Sequence, residues 1–122
     1  MNRLKRDNRR EKRIDMDILV DARDEEERAM GWYYYLTDTI TFPFKAQCVS
    51  THPASSLKEE EFVEVTGMAP EFECLREMFV ESQWDGQDAM VPLAQLRGVS
   101  VDKETQEALE DWHYWVGRGY GF

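Results

Sequence analysis

The chain sorts its charges by position, and that sorting limits how it can fold. Seven of its 15 basic residues (Arg3, Lys5, Arg6, Arg9, Arg10, Lys12 and Arg13) lie in the first 13 positions, where only Asp7 and Glu11 are acidic. The other 109 residues hold the remaining eight basic residues and 23 of the 25 acids, a formal charge of −15. A body so charged must spread its carboxylates over solvent or over bound cations, and it repels phosphate backbones and anionic surfaces. Neither nucleic acid nor membrane is an expected partner. Residues 1–13 read as a basic flexible tail, solvated and able to lie on the acidic body. Residues 14–122 read as a single acidic domain.

That body can still form a core. The chain is 42% apolar and carries four tryptophans, and a domain of this length buries most of the surface its unfolded chain exposes. No apolar run is long enough to span a membrane. The N-terminus is charged and lacks the apolar stretch of a secretory signal. Cys48 and Cys74 imply no disulfide framework. A cytoplasmic location is the expectation.

Periodicity supplies the elements. Ile14, Met16, Ile18, Val20 and Ala22 alternate with Asp15, Asp17 and Asp21, which predicts a half-buried strand. Asp24, with Glu27 three residues on, marks a helix start. Ala29, Tyr33, Leu36 and Ile40 continue it at helical spacing, with the end placed near Thr37 and a turn at Asp38-Thr39. Ile40, Phe42, Phe44, Ala46 and Cys48 alternate as a strand, with Pro43 marking an edge or bulge. Phe62, Val63 and Val65 begin another, closed by Gly67. Residues 78–84 and 89–91 form a hairpin turning at Asp85-Gly86, and 92–96 a single turn. A last helix opens at Asp102, lines Ala108, Leu109, Trp112, Trp115 and Val116 on one face, and stops at Gly117.

The fold class expected is α+β: a small, SH3-like, partly open β-barrel over about residues 38–99, flanked by an N-terminal helix and a C-terminal aromatic-faced helix. Trp32, Tyr33, Trp112 and Trp115 are expected to pack the two helices against the barrel.

Catalytic constellations are missing. His52 and His113 are the only histidines, no Gly-x-Ser-x-Gly elbow occurs, and no cysteine–histidine pair has a suggestive spacing. Cys48, His52, Cys74 and His113 fit no zinc pattern, and no glycine-rich loop with a lysine is available for phosphate. An enzyme is not expected. Carboxylates remain. Calcium takes six to eight oxygens in irregular geometry, so acids brought together by the fold can bind it without a linear motif. Four acidic clusters are available: Asp15 to Asp21, Asp24 to Glu27, Glu71 to Glu81, and Asp85 with Asp88. Any one such acid is more often a solvated face or a helix cap than a ligand. No EF-hand loop is present.

Several strings are distinctive: Gly31-Trp32-Tyr33-Tyr34-Tyr35-Leu36, Phe42-Pro43-Phe44 with Cys48, Gly67-Met68-Ala69-Pro70, Val91-Pro92-Leu93 and Asp111-Trp112-His113-Tyr114-Trp115. In these the chain resembles the cyanobacterial calcium-binding protein family, CcbP-like, from about Val20 to the C-terminus. The resemblance implies Ca2+ binding without EF-hands, through surface charge and acidic pockets, with compaction on binding. Asp38, beside the first aromatic string, and Asp111, inside the last, are the leading candidate ligands. Glu26, Glu71, Glu73, Glu77, Asp85 and Asp88 follow, because they sit in turns or helix starts near the shared strings. The function expected is a reversible calcium buffer or sensor. The alternative is an acidic SH3-like interaction module whose partner is a basic protein.

Overall fold

The structure, a computed structural model, describes residues 4–122. Positions 1–3 of the basic segment, Arg3 among them, lie outside the described residues. The chain opens with a short helix, α1 (Asn8–Arg13), capped by Asp7, whose side chain accepts from the Arg10 amide at 3.0 Å. A π-helical turn, Ile14–Ile18, continues it directly and closes with Leu19 N donating to Ile14 O at 2.9 Å. Residues 8–18, expected as the end of a flexible tail and the start of a strand, are helical instead. The alternating apolar residues also contain a helical pair, Ile14 and Ile18, and these two are buried. Met16 and Val20, which a strand would have buried with them, are 60% and 66% exposed.

Helix α2 (Glu25–Thr39) starts where the sequence places it. Asp24 accepts from the Glu27 amide at 2.8 Å, and Glu27 accepts in turn from the Arg23 amide at 2.8 Å. It runs two residues past the expected end and stops at Ile40, which is already extended ahead of Phe42-Pro43. Asp38 therefore lies on the last turn of a helix and not in a loop.

Five strands follow: β1 (Phe44–Cys48), β2 (Phe62–Met68), β3 (Phe79–Trp84), β4 (Gln87–Pro92) and β5 (Leu96–Val99). All pairings are antiparallel, in the order β4-β3-β2-β1-β5. The β3–β4 turn is Asp85-Gly86, with φ of 52° and 77°, the left-handed pair a tight hairpin requires. A four-residue turn, Glu71–Cys74, joins β2 to β3, and a three-residue turn, Leu93–Gln95, joins β4 to β5. Strand β5 is absent from the sequence reading. It is short and carries Gly98, where a methyl group would come within 3.0 Å of Val101 and Leu109 side chains. Helix α3 (Lys103–Gly117) closes the chain.

The core is aromatic where the two long helices meet the sheet. Trp32 is fully buried, with Trp112 edge-on at 5.1 Å and Trp115 at 5.6 Å. Tyr33 is half-buried and donates its hydroxyl to Ala69 O at 2.6 Å. Cys48 and Cys74 are both buried free thiols. Among the described residues, no helix is long and apolar enough to cross a membrane.

His113 on α3 is half-buried, and its Nε2 is enclosed without a hydrogen-bond partner in the structure. Burial pushes its pKa below 6.5, with the nearby Leu96 and Leu93 backbones opposing. As pH falls, the unfolded chain takes up this proton first. The contribution is therefore complete above the unfolded pKa and is lost as pH drops through it toward the folded value. Thermal unfolding should show a falling Tm from about pH 7 to about pH 5.5, flattened in His113→Gln. A flat wild-type curve over that interval would mean that His113 is not held neutral by burial.

Candidate metal centre

One face of α2 is a continuous stripe at helical spacing: Glu27, Met30, Gly31, Tyr34, Tyr35, Asp38 and Thr39. The segment from Asp17 to Ala22 runs beside it, and between them lies a cleft of about 650 Å³. Gly31 permits the approach. A methyl there would sit 2.7 Å from the Ile18 carbonyl oxygen, a backbone atom that cannot swing aside. Alanine is worth about 1 kcal/mol over glycine within a helix, but overpacking against backbone costs about 1–3 kcal/mol. Gly31→Ala is therefore expected to destabilise the chain and to push the Asp17 segment off α2. Urea unfolding checks the sign.

Four carboxylates border the cleft: Asp17, Asp21, Glu27 and Asp38. They cannot all serve one ion. Glu27 and Asp38 are eleven residues apart on one helix, roughly 16 Å along its axis. Asp17 belongs to the Asp38 end, because Asp17, Tyr35 and Thr39 also border a second depression with Arg13, Lys103, Glu104 and Glu107. That end of the cleft is lined by Asp17, Asp38 and Thr39, beside the last carbonyls of α2, which a helix end leaves without intrahelical partners. Every donor is oxygen, the set a hard cation takes. Among the described residues, no three His, Cys, Asp or Glu side chains stand close enough to hold a metal ion together. An ion here would complete its shell from backbone carbonyls and water.

Asp38 also stands at an unfavourable place on its helix. It lies in the last turn, at the negative end of the helix dipole, with no basic residue there to offset it. A bound cation would remove that penalty.

The other candidates are dispersed. Glu26 lies in the first turn of α2, bordering a separate shallow depression with Arg23, Asp24 and Glu27. Glu71 and Glu73 lie on the turn after β2, and Glu71 accepts from the Tyr34 hydroxyl at 3.2 Å. Glu77 faces His52 at 3.1 Å. Asp85 is at the hairpin turn, and Asp88 on β4 accepts from Gln83 at 3.3 Å. Asp111, the other leading candidate, does not border the cleft and sits in an ion-pair network. It is fully buried, and both its oxygens are occupied: Arg10 donates at 2.6 Å, Arg13 donates from both terminal nitrogens, and the Tyr35 hydroxyl donates at 2.6 Å. An ion there would have to displace two guanidinium groups. Asp17, Asp21 and Glu27, which belong to two of the acidic clusters but not to the candidate ligands, also border the cleft. The available signal was Asp17 and Asp21 at i and i+4, which the strand reading obscured.

An oxygen-only donor set on an acidic α+β chain is that of a hard-cation binder. Residues 12–116 match the CcbP family, described as calcium binding. Two solved structures are similar over 100% of both chains. "The crystal structure of Anabaena CcbP" shares 49% identity with a TM-score of 0.88. "Calcium binding protein in the calcium-binding form" shares 48% with a TM-score of 0.87. No curated protein sequence matches the chain. The chain belongs to the CcbP family of calcium-binding proteins.

Proposed function

We propose that this protein binds Ca2+ reversibly at the Asp17–Asp38 end of the cleft, as a cytoplasmic buffer or sensor without catalysis. The observation that carries the reading is that, in a member of a calcium-binding family, carboxylates from two separate segments line one cleft at the C-terminal end of α2. The net charge of −10 gathers cations at long range, and that attraction weakens as salt shortens the screening length. Near the site, the ion relieves repulsion between the two acids and draws the Asp17 segment toward α2. The strand order, with β5 returning beside β1 after a short helical turn, supports the SH3-like, partly open barrel.

The test is calorimetric titration of chelator-stripped protein with calcium, at physiological salt and with magnesium present. Saturable binding at one or two sites supports the reading. Heat that disappears with salt or magnesium would leave only a diffuse acidic surface. The second reading, docking of a basic protein, is favoured by Phe72 and Leu75, which are 71% and 42% exposed beside Glu71 and Glu73. Retention of a basic partner that is indifferent to chelator would favour that reading.

A further inference from the structure

The N-terminal basic segment is built into the fold in a way that its composition does not announce. Leu4 N donates to Gly117 O at 3.0 Å, and Arg118 donates to Leu4 O at 2.7 Å. The Tyr114 hydroxyl accepts from the Asp7 amide at 2.9 Å and donates to Glu11 at 2.7 Å, and Tyr120 donates to Glu11 at 2.6 Å. Beyond these contacts, Arg10 and Arg13 converge on the buried carboxylate of Asp111.

That carboxylate joins the two walls of the cleft. Arg13, which grips it with both terminal nitrogens, immediately precedes the π-helical turn carrying Asp17. Tyr35, which donates to Oδ2 of the same carboxylate, belongs to the α2 stripe and lies three residues before Asp38. The fork geometry of a guanidinium on a carboxylate fixes orientation as well as distance. One side chain of α3 thus holds the base of the Asp17 wall and the middle of the Asp38 wall at a fixed spacing.

We propose that Arg13 and Tyr35, acting through Asp111, are positioning residues that set the separation of the Asp17 and Asp38 walls for calcium. The inference rests on the calcium site proposed above. Charge and position make opposite demands, which makes the idea testable. Arg13 is a cation bordering a depression that also contains Asp17. By charge alone, its removal should tighten calcium binding, by about two- to threefold in salt. If it positions the wall, its removal should weaken binding by about tenfold, as losing the support of a metal ligand does.

The experiment is calcium calorimetry on the full chain carrying Arg13→Met, Arg13→Lys, Tyr35→Phe or Asp38→Asn, well below each variant's Tm. Amide hydrogen exchange over residues 14–22 is followed in parallel, with and without calcium. Arg13→Met is expected to bind about tenfold more weakly, with Arg13→Lys partly restoring affinity. Tyr35→Phe, which leaves the charge untouched, should also weaken binding. Calcium should slow exchange over residues 14–22 in wild type and less so in Arg13→Met. Should Arg13→Met fail to fold, Tyr35→Phe carries the test. Unchanged or tighter binding in both variants, with Asp38→Asn weakened, would overturn the positioning role and leave the site standing. Unchanged binding in Asp38→Asn would overturn the site, and the positioning role with it.

Discussion

Asp38→Asn is expected to weaken calcium binding by at least about tenfold while leaving the calcium-free protein as stable as before, or slightly more so. Affinity and stability move in opposite directions because of where Asp38 sits. It occupies the last turn of α2, where the helix presents partial negative charge and the turn itself carries no basic residue. Neutralising a carboxylate at that end typically gains about 0.3–1 kcal/mol. The same change removes a formal charge from an oxygen-donor set, and calcium affinity follows ligand charge. Asp85→Asn at the far hairpin provides the comparison. Its charge acts only through solvent, so its effect should stay within about twofold at physiological salt. Calorimetry and thermal unfolding on the two variants, in calcium and in chelator, give all four values. A fall in calcium-free Tm for Asp38→Asn, or equal losses of affinity in both variants, would contradict the placement of the site.

Asp111→Asn should instead cost stability, about 3 kcal/mol, because it leaves Arg10 and Arg13 facing an amide. The figure sits at the low end for a broken buried ion pair because the arginine side chains remain about a quarter exposed and regain some water. In a domain of this size the loss corresponds to a Tm lower by roughly 12 °C. Arg13 is the group most affected, since its hydrogen bonds to Asp111 push its pKa above the usual arginine range, against burial. Burial, followed by the bond to Asp111, likewise pushes the Tyr35 hydroxyl well above its ordinary value. Chemical denaturation of the calcium-free protein measures the cost. A loss below about 1 kcal/mol would mean that the arginines find other partners.

Several elements are legible from sequence because local and tertiary preferences agree in them. Helix α2 announces its start through Asp24 and Glu27, and the β3–β4 hairpin announces its turn through Asp85-Gly86. The aromatic packing of Trp32 on Trp112 follows from two apolar stripes of matching character. Where the reading failed, the deciding contact lies far along the chain. The run Ile14-x-Met16-x-Ile18 satisfies both a strand period and a helical one, and only packing shows that Ile14 and Ile18 are the buried pair. Residues 8–13 looked solvated because their counter-charge, Asp111, is 98 positions away from Arg13. The same separation hides the arginine partners of Asp111 from a sequence reading. Asp17 went unselected because a strand would have placed it on a solvent face beside Asp15 and Asp21, whereas the helical turn directs the chain along α2. Sequence places Asp38 in a turn, whereas the helix end that gives it its electrostatic setting lies two residues beyond the expected stop.

The location of the ion is settled most directly by a backbone amide NMR titration of the chelator-stripped chain with calcium, magnesium being present throughout. The largest saturable shifts should fall on residues 17–22 and 34–40, on both sides of one cleft, with residues 85–88 and 71–77 nearly unmoved. Largest shifts at the hairpin or at the Glu71 turn, or small unsaturable shifts spread over all the acidic surface, would contradict a calcium site between Asp17 and Asp38.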